Sequence, residues 1–188
     1  MKFENTMVTN FENAILGARN PMESHKRMDS FYNENGEYIL GPNDLGLMQR
    51  LLKASMAQGN SHSKFMRQIL VSVNITAPLY WWKEADQYRV GVTTNSESTM
   101  HRLAKTPITL DCFETDDYDP KLSLAYEEKY DKYNNGLDDI SVYIEDMIMV
   151  MENLRKAYLA TNDKRYWKEL IRLLPEGWLQ KRMTTLNY

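Results

Sequence analysis

The segment ILVSVNITAPLYWW, residues 69–82, decides the fold prediction because it joins a strand pattern directly to a helix start. β-Branched apolar residues occupy every second position from 69 to 75. This two-residue period is typical of a strand with one buried face. Pro78 follows at once, and its fixed φ angle suits the first turn of a helix. The segment therefore predicts a strand over 69–76 and a helix over 78–89.

The predicted helix over 78–89 carries aromatic side chains on its faces and charged side chains between them. Two stripes at helical spacing follow from the order of residues: Trp81, Ala85 and Tyr88 form one, and Trp82, Asp86 and Arg89 form the other. A packing interpretation makes the aromatic residues core and the charged residues a solvated face. A functional interpretation lets Lys83, Glu84 and Gln87 face a ligand.

Residues 91–98, GVTTNSES, form a polar segment behind this helix. As a loop, their small donors could bind a phosphate, with Arg89 and Arg102 supplying positive charge. The alternative is an ordinary turn that caps the next helix at Ser96 or Ser98.

The remaining elements are predicted from hydrophobic periodicity and turn residues. A strand is expected through Met7-Val8, a capping box at Thr9 and Glu12, and a turn at 33–36. Residues 179–187 are expected to return as a strand or an extended arm. Helices are predicted over 10–19, 45–58, 122–134, 138–161 and 164–173. The helix over 138–161 is the longest, and its wide apolar face fits either a subunit interface or a central core position.

Composition limits the classes of protein. A chain of 188 residues with 43% hydrophobic residues suits one domain, and a net charge of −3 gives no general attraction to nucleic acid or anionic membranes. The single cysteine, Cys112, excludes an internal disulfide and suits a reducing compartment. Because the sequence has no spanning run and no secretory signal, we expect a cytoplasmic protein.

Five acidic residues are crowded between Asp111 and Asp119. They lack the central glycine and the terminal glutamate of a calcium-binding loop. We therefore predict a solvated loop there and no metal site.

Several motifs occur together in an order that resembles the flavin-dependent thymidylate synthases. Ala77-Pro78 matches the end of the family's strand, and Asn95 and Ser98 look like its Asn and Ser. His62 falls where the family places a flavin-binding histidine. The tail Arg172-Leu173-Leu174-Pro175 is similar to the family's Arg-x-x-Leu-Pro, with the arginine one residue late, and Thr185 and Asn187 are similar to a later Thr and Asn.

The sequence also departs from the family's pattern. Glu84 stands at the family's glutamine position, and Gln87-Tyr88-Arg89 replaces its Arg-His-Arg. There is one residue more than usual between Arg89 and Ser98, and Arg67 and Gln68 replace a Glu and a His after His62. These changes remove charge that would hold a pyrophosphate and activate the pyrimidine. Glu84 also places an anion where the family binds an anionic nucleotide.

The resemblance implies an α/β (α+β) fold in a single domain, 1–188, with a small sheet packed with several helices and a C-terminal end shorter than the family's. It implies a cytoplasmic homotetramer that binds FAD and dUMP where subunits meet and methylates dUMP to dTMP, with NADPH and methylenetetrahydrofolate as co-substrates. The implied catalytic residues are Arg89 and Ser98. The implied cofactor-binding residues are His62, Gln87, Tyr88, Arg89 and Asn95, and the implied substrate-binding residues are Glu84, Ser98 and Arg172.

Two other functions remain open from the sequence. One is a catalytically silent relative that serves as a nucleotide-binding or assembly protein. The other is single-stranded nucleic-acid binding, with Tyr80, Trp81 and Trp82 as a stacking surface beside Lys64, Arg67 and Arg89. The net acidity argues against nucleic acid as a partner.

Overall fold

The computed structural model describes residues 1–116 and 140–187. Its α-helices are α1 Phe11–Arg19, α2 Pro42–Gln58, α3 Leu79–Ala85, α4 Thr99–Lys105, α5 Ile140–Thr161 and α6 Lys164–Arg172. Its strands are β1 Lys2–Thr9, β2 Phe31–Tyr32, β3 Tyr38–Ile39, β4 Leu70–Pro78, β5 Val92–Ser96 and β6 Leu179–Asn187. Short 3₁₀ helices lie at Asn20–Met22, His25–Arg27, Asn60–Gln68 and Leu110–Cys112.

Four strands form one sheet in the order β1-β4-β6-β5, and β2 and β3 form a separate antiparallel hairpin. In the hairpin, Phe31 pairs with Ile39 and Tyr32 pairs with Tyr38. The predicted turn at 33–36 joins these two strands. The small sheet with several helices confirms the predicted α/β (α+β) class.

The chain divides into two compact units. The first unit contains Met1–Lys2, Thr76–Gln87 and Ser96–Arg182. The second unit contains Phe3–Ile75, Tyr88–Asn95 and Met183–Tyr188. That the whole chain behaves as one domain stays a prediction.

The core of the first unit surrounds Trp178. Trp178 is fully buried and meets Phe113 edge to face, with ring centroids 5.5 Å apart. The guanidinium of Arg102 lies 5.0 Å from the centre of the Trp178 ring, where the ring's negative face attracts it. The other buried members of this core are Leu103, Ile108, Cys112, Met151 and Leu170. Each large side chain removed from water contributes about 1.5–3 kcal/mol to folding.

A half-buried ion pair connects α5 to the segment after α4 in the first unit. Arg155 donates from Nη2 to Glu152 Oε1 at 2.6 Å and from Nε to Oε2 at 2.8 Å. The backbone N–H of Ile108 donates to Glu152 Oε2 at 2.9 Å. The hydrogen bonds from Arg155 hold the pKa of Glu152 at about 2, although partial burial opposes this.

The second unit has its own core, formed by Ile15 of α1, Met48 of α2 and Phe65 of the Asn60–Gln68 helix. Phe11, Leu51, Leu52 and Ile69 pack around these three residues. The predicted amphipathic stripes of the first two helices therefore face each other across Phe65.

A buried ion pair joins α1 to α2 beside this core. Arg19 is 3% exposed and Asp44 is 0% exposed, and Arg19 Nε donates to Asp44 Oδ1 at 2.7 Å. Asp44 Oδ2 accepts from the backbone and hydroxyl of Ser30, at 2.9 Å and 2.6 Å. Arg19 Nη2 also donates to the backbone oxygen of Arg27 at 3.1 Å. Burial raises the pKa of Asp44, but the hydrogen bonds from Ser30 and Arg19 outweigh burial and keep that pKa below its usual value.

Most predicted elements are confirmed. The strand over 69–76 is β4, in which Val73, Ile75 and Ala77 are buried. Strands β1 and β6 and helices α1, α2, α5 and α6 match their predicted ranges within a few residues. The predicted helix over 122–134 lies outside the described residues.

The predicted capping box at the start of α1 is wrong. Asn10, with a φ of 63°, occupies the N-cap position, and no side chain caps the helix. Asn10 instead donates from Nδ2 to the backbone oxygen of Gln68 at 2.9 Å and accepts from Asn13 Nδ2 at 2.7 Å. The start of the helix is therefore held by the tertiary contact between Asn10 and Gln68, and not by the predicted local capping box.

The predicted helix over 78–89 ends early, at Ala85. The N–H of Gln87 donates to the backbone oxygen of Glu84 at 3.1 Å, a tightened last turn, and Arg182 holds the side chain of Asp86 at 2.7 Å. Tyr88 and Arg89 therefore lie beyond the helix, and the stripes predicted through them do not form.

The predicted loop over 91–98 is also largely wrong, because Val92–Ser96 form β5. Val92, Thr93 and Thr94 are β-branched, a side-chain type that favours strands once a neighbouring strand is available. β6 is that neighbour.

None of the helices in the described ranges combines the length and the apolar character needed to cross a membrane.

Replacing Arg19 with Ala should destabilise the protein by about 3–5 kcal/mol, because Asp44 would be left buried without its partner. Chemical denaturation followed by circular dichroism measures this change. The exposed Arg50 of α2 is the control, and Arg50→Ala should cost less than about 0.5 kcal/mol. Equal effects of the two substitutions would contradict the role of the pair.

The low pKa of Glu152 makes a pH-dependent contribution to stability. Its value in the folded protein is about 2, below the ordinary 4.5, so the contribution is complete above pH 4.5 and is lost as the pH falls toward 2. The stability difference between wild type and Glu152→Gln should therefore shrink over that range. Urea denaturation at several pH values tests this, with the exposed Glu23→Gln as control. A difference that is constant with pH would refute the prediction.

Candidate functional site

A cavity of about 390 Å³ lies within the second unit, between α1, α2 and the Asn60–Gln68 helix. The polar residues that line it are Asn20, Ser61, His62, Lys64 and Gln68. The other lining residues are Gly17, Ala18, Pro21, Leu51 and Phe65. This volume is in the range of about 300–1,000 Å³ typical of small-molecule sites.

The Asn60–Gln68 helix positions the polar side of the cavity because its residues alternate between buried and exposed. Ser63 is buried, and its hydroxyl accepts a hydrogen bond from Ser55 of α2 at 2.9 Å. Phe65 is 6% exposed and belongs to the core. These two anchors leave His62 and Lys64 on the open side, at the cavity wall.

A glycine in α1 shapes the opposite side of the cavity. A side chain at Gly17 would place its Cβ 3.0 Å from Gln68 Oε1. The absence of that side chain lets Gln68 approach α1 closely. The wall there is therefore made of helix backbone and a side-chain amide.

The charge of the cavity wall is positive. Among the residues that the structure describes, His62 and Lys64 are the ionisable members of its lining, and no Asp or Glu belongs to it. Within residues 1–116 and 140–187, the side chains of His62 and Lys64 have no hydrogen bond or ion pair. Unpaired donors of this kind favour an anionic or hydrogen-bond-accepting ligand.

The other predicted site residues fall in both units. Glu84 lies in the last turn of α3 and Gln87 two residues beyond this helix, both in the first unit, and Gln87 Nε2 donates to Glu84 Oε2 at 3.4 Å. Ser98 and Arg172 also lie in the first unit. His62, Tyr88, Arg89 and Asn95 lie in the second unit. That these residues form one site stays a prediction.

Ser98 and Arg172 have clear local partners. Ser98 is the N-cap of α4, and its Oγ accepts from the backbone N–H of His101 at 3.4 Å, which confirms the capping alternative. Arg172, in the last turn of α6, forms an exposed ion pair with Glu169.

Tyr88, Arg89 and Asn95 are exposed, and an asparagine from β6 holds the turn that carries Tyr88 and Arg89. The backbone N–H of Asn187 donates to the Gly91 oxygen at 3.1 Å. Its Nδ2 donates to the Arg67 oxygen at 3.0 Å. Asn187 therefore links this turn to the end of the Asn60–Gln68 helix.

Sequence reasoning missed Lys64, Asn20 and Gln68 as cavity residues, and Asn187 as a turn anchor. For Lys64 the sequence does offer a signal. Lys64 lies two residues after His62, with Ser63 between them and Phe65 directly after it. The contacts of Asn187 with Arg67 and Gly91 are long-range, and nothing local in the sequence indicates them.

The aromatic segment before the turn belongs to the core only in part, since Tyr80 is exposed and Trp82 is buried. Trp82 is 2% exposed, donates from Nε1 to the Gln180 oxygen at 3.0 Å, and has Arg182 over its ring at 4.2 Å. The stacking surface considered for nucleic acid therefore loses Trp82, because a buried ring cannot stack on a base.

No group of three or more His, Cys, Asp or Glu side chains suited to a metal ion occurs among the residues that the structure describes.

Gly91→Ala should destabilise the protein more than Gly36→Ala. Both glycines have positive φ angles, 69° and 76°, so each substitution strains the backbone by about 1 kcal/mol. A Cβ at Gly91 would also lie 1.8 Å from Asn187 Oδ1, whereas nothing lies within 4 Å at Gly36. We expect a total cost of roughly 2–4 kcal/mol for Gly91→Ala, measured by thermal unfolding. Equal costs would show that Asn187 does not constrain the turn.

Comparisons with known proteins agree with the fold. No family model matches the chain, and no curated protein sequence matches it. Among solved structures, Helicobacter pylori thymidylate synthase X (ThyX) with FAD and dUMP aligns with a TM-score of 0.58 and 17% identity, covering 100% of this chain and 78% of that one. A second H. pylori structure, flavin-dependent thymidylate synthase ThyX complexed with FAD and dUMP, aligns with a TM-score of 0.58 and 18% identity, covering 100% and 79%.

The UMP/dUMP methylase PolB from Streptomyces cacaoi, bound with 5-Br dUMP, aligns with a TM-score of 0.50 and 11% identity, covering 99% of this chain and 73% of that one. At these identities the likeness concerns the fold. The chain has the fold of the flavin-dependent thymidylate synthases.

Proposed function

We propose that this protein binds FAD and a pyrimidine nucleotide and methylates the uracil ring of dUMP, as the flavin-dependent thymidylate synthases do. One observation carries the proposal: within a ThyX-like fold that spans the whole chain, His62 lines a cavity at which the described residues place no carboxylate. His62 is also the residue that the sequence resemblance assigns to flavin.

The cavity residues fit part of a flavin cofactor. His62, Lys64 and Ser61 offer polar hydrogens to oxygen acceptors, and Leu51 and Phe65 offer apolar surface to a ring. When bound, reduced flavin supplies the hydride of the family's reaction. NADPH and methylenetetrahydrofolate are the proposed co-substrates.

Ser98 can serve a nucleotide while it caps α4. Its Oγ accepts one hydrogen bond from His101, which leaves the hydroxyl hydrogen free to be donated to a ligand. The short α4 thus fixes the position of the hydroxyl. We assign Ser98 and Arg89 to the reaction, Gln87, Tyr88 and Asn95 to the cofactor, and Glu84 and Arg172 to the substrate, as the resemblance implies.

The proposed assembly is the cytoplasmic homotetramer of the family. Tyr88 and Val90 are 76% and 97% exposed, at the turn that carries Arg89. Two apolar side chains so exposed on one turn favour a contact with another subunit.

The first experiment is an absorbance spectrum of the purified protein before and after addition of excess FAD and removal of the unbound fraction. We expect a retained flavin band that changes again when dUMP is added. His62→Ala and Arg89→Ala should each weaken FAD binding by about tenfold or more, which corresponds to about 1.4 kcal/mol for a lost charged or polar contact. The matched controls are the exposed His101→Ala and Arg50→Ala, which should bind FAD as the wild type does.

Three outcomes separate the functions. A folded wild-type protein that retains no flavin would overturn the proposal. Unchanged FAD binding in both His62→Ala and Arg89→Ala would overturn the site assignment. Retained flavin without any response to dUMP would instead indicate a catalytically silent, cofactor-binding relative.

A further inference from the structure

We propose that Lys64 is the cation that holds a phosphate group of the ligand in the cavity beside His62. The inference rests on the proposed function and deepens it, because it names the chemical group that this wall of the cavity binds. The sequence comparison with the flavin-dependent synthases assigns no role to Lys64.

The backbone on both sides of Lys64 is anchored. Ser63 and Phe65 are each 6% exposed, the first hydrogen-bonded to Ser55 and the second packed in the core. Lys64 lies between them and is exposed at the cavity wall. Its Cα position is therefore fixed by its neighbours, while its ammonium can move to meet a ligand.

The positive charge of Lys64 has no counter-charge in the cavity. No carboxylate lines this space, and Lys64 makes no ion pair within the described part of the chain. An ammonium left unpaired beside a cavity is a ready partner for a phosphate.

Two amides complete a donor set for phosphate oxygens. Asn20 Oδ1 is engaged with His25 Nε2 at 2.7 Å, so the amide N–H groups of Asn20 are available to a ligand. Gln68 and the Ser61 hydroxyl line the same space. Phosphate oxygens, which only accept hydrogen bonds when ionised, suit this arrangement.

The cation at Lys64 also accompanies a loss of charge elsewhere in the sequence. Gln87 and Tyr88 are neutral where the resembling family carries an arginine and a histidine. Lys64 supplies a cation from a different element, the Asn60–Gln68 helix. We infer that positive charge for the ligand's phosphates has moved from the turn after α3 to this helix.

The test uses inorganic pyrophosphate as a probe that contains the anionic group and no flavin. Titration of ¹⁵N-labelled full-length protein should shift the amide signals of residues 61–68. Lys64→Ala should weaken pyrophosphate binding at least tenfold, which corresponds to about 1.4 kcal/mol, and Lys64→Arg should keep most of it. The control is Lys53→Ala, since Lys53 is exposed on α2 and does not line the cavity.

Two results would overturn the inference: wild-type signals of residues 61–68 that do not respond to pyrophosphate, or equal binding by Lys64→Ala and wild type. The flavin spectrum separates this failure from failure of the proposed function. Flavin retained by the wild type without a Lys64-dependent pyrophosphate site would overturn the phosphate role alone. A Lys64-dependent pyrophosphate site in a protein that retains no flavin would support the phosphate role and overturn the flavin assignment.

Discussion

The buried ion pair between Arg19 and Asp44 is the interaction on which the candidate site depends. The pair joins α1 to α2, and both helices contribute residues to the cavity wall. Burying two charges is costly unless every hydrogen-bonding group is satisfied, and here Ser30 and the Arg27 oxygen complete the network. Such a network tolerates little displacement, so it holds Gly17 and Ala18 in a defined position relative to Leu51.

The positive wall of the cavity differs from this ion pair, because its polar side chains are left without protein partners among the described residues. His62 and Lys64 are exposed on a 3₁₀ helix whose intervening residues are buried, and they carry no partner among the described residues. Polar groups that are fully satisfied stabilise a fold, whereas groups left open at a rigid wall are available for binding. The second unit contains both kinds of polar group close together in the sequence, since the paired Arg19 directly precedes the cavity-lining Asn20.

In the first unit, Ser98 has a structural role beside the ligand-binding role proposed for it. Ser98 caps α4, and the neighbouring Arg102 lies over Trp178 and pairs with Glu97 at 2.7 Å. The end of the polar segment 91–98 is thus joined to the aromatic core through Glu97 and Arg102. Trp178 itself is fully buried.

The sequence by itself determined most of the longer elements, the α/β class and the family resemblance, because hydrophobic periods and proline and glycine positions act locally. It predicted β4 and α2 nearly to their ends. It failed at Asn10, at residues 86–89 and at Val92–Ser96, where contacts from Gln68, Arg182 and β6 override the local pattern. Only the tertiary structure placed His62 and Lys64 at a cavity that no carboxylate of the described residues lines, because α1 and α2 form its other walls. The approach of these two helices depends on a buried ion pair between residues 25 apart in the chain.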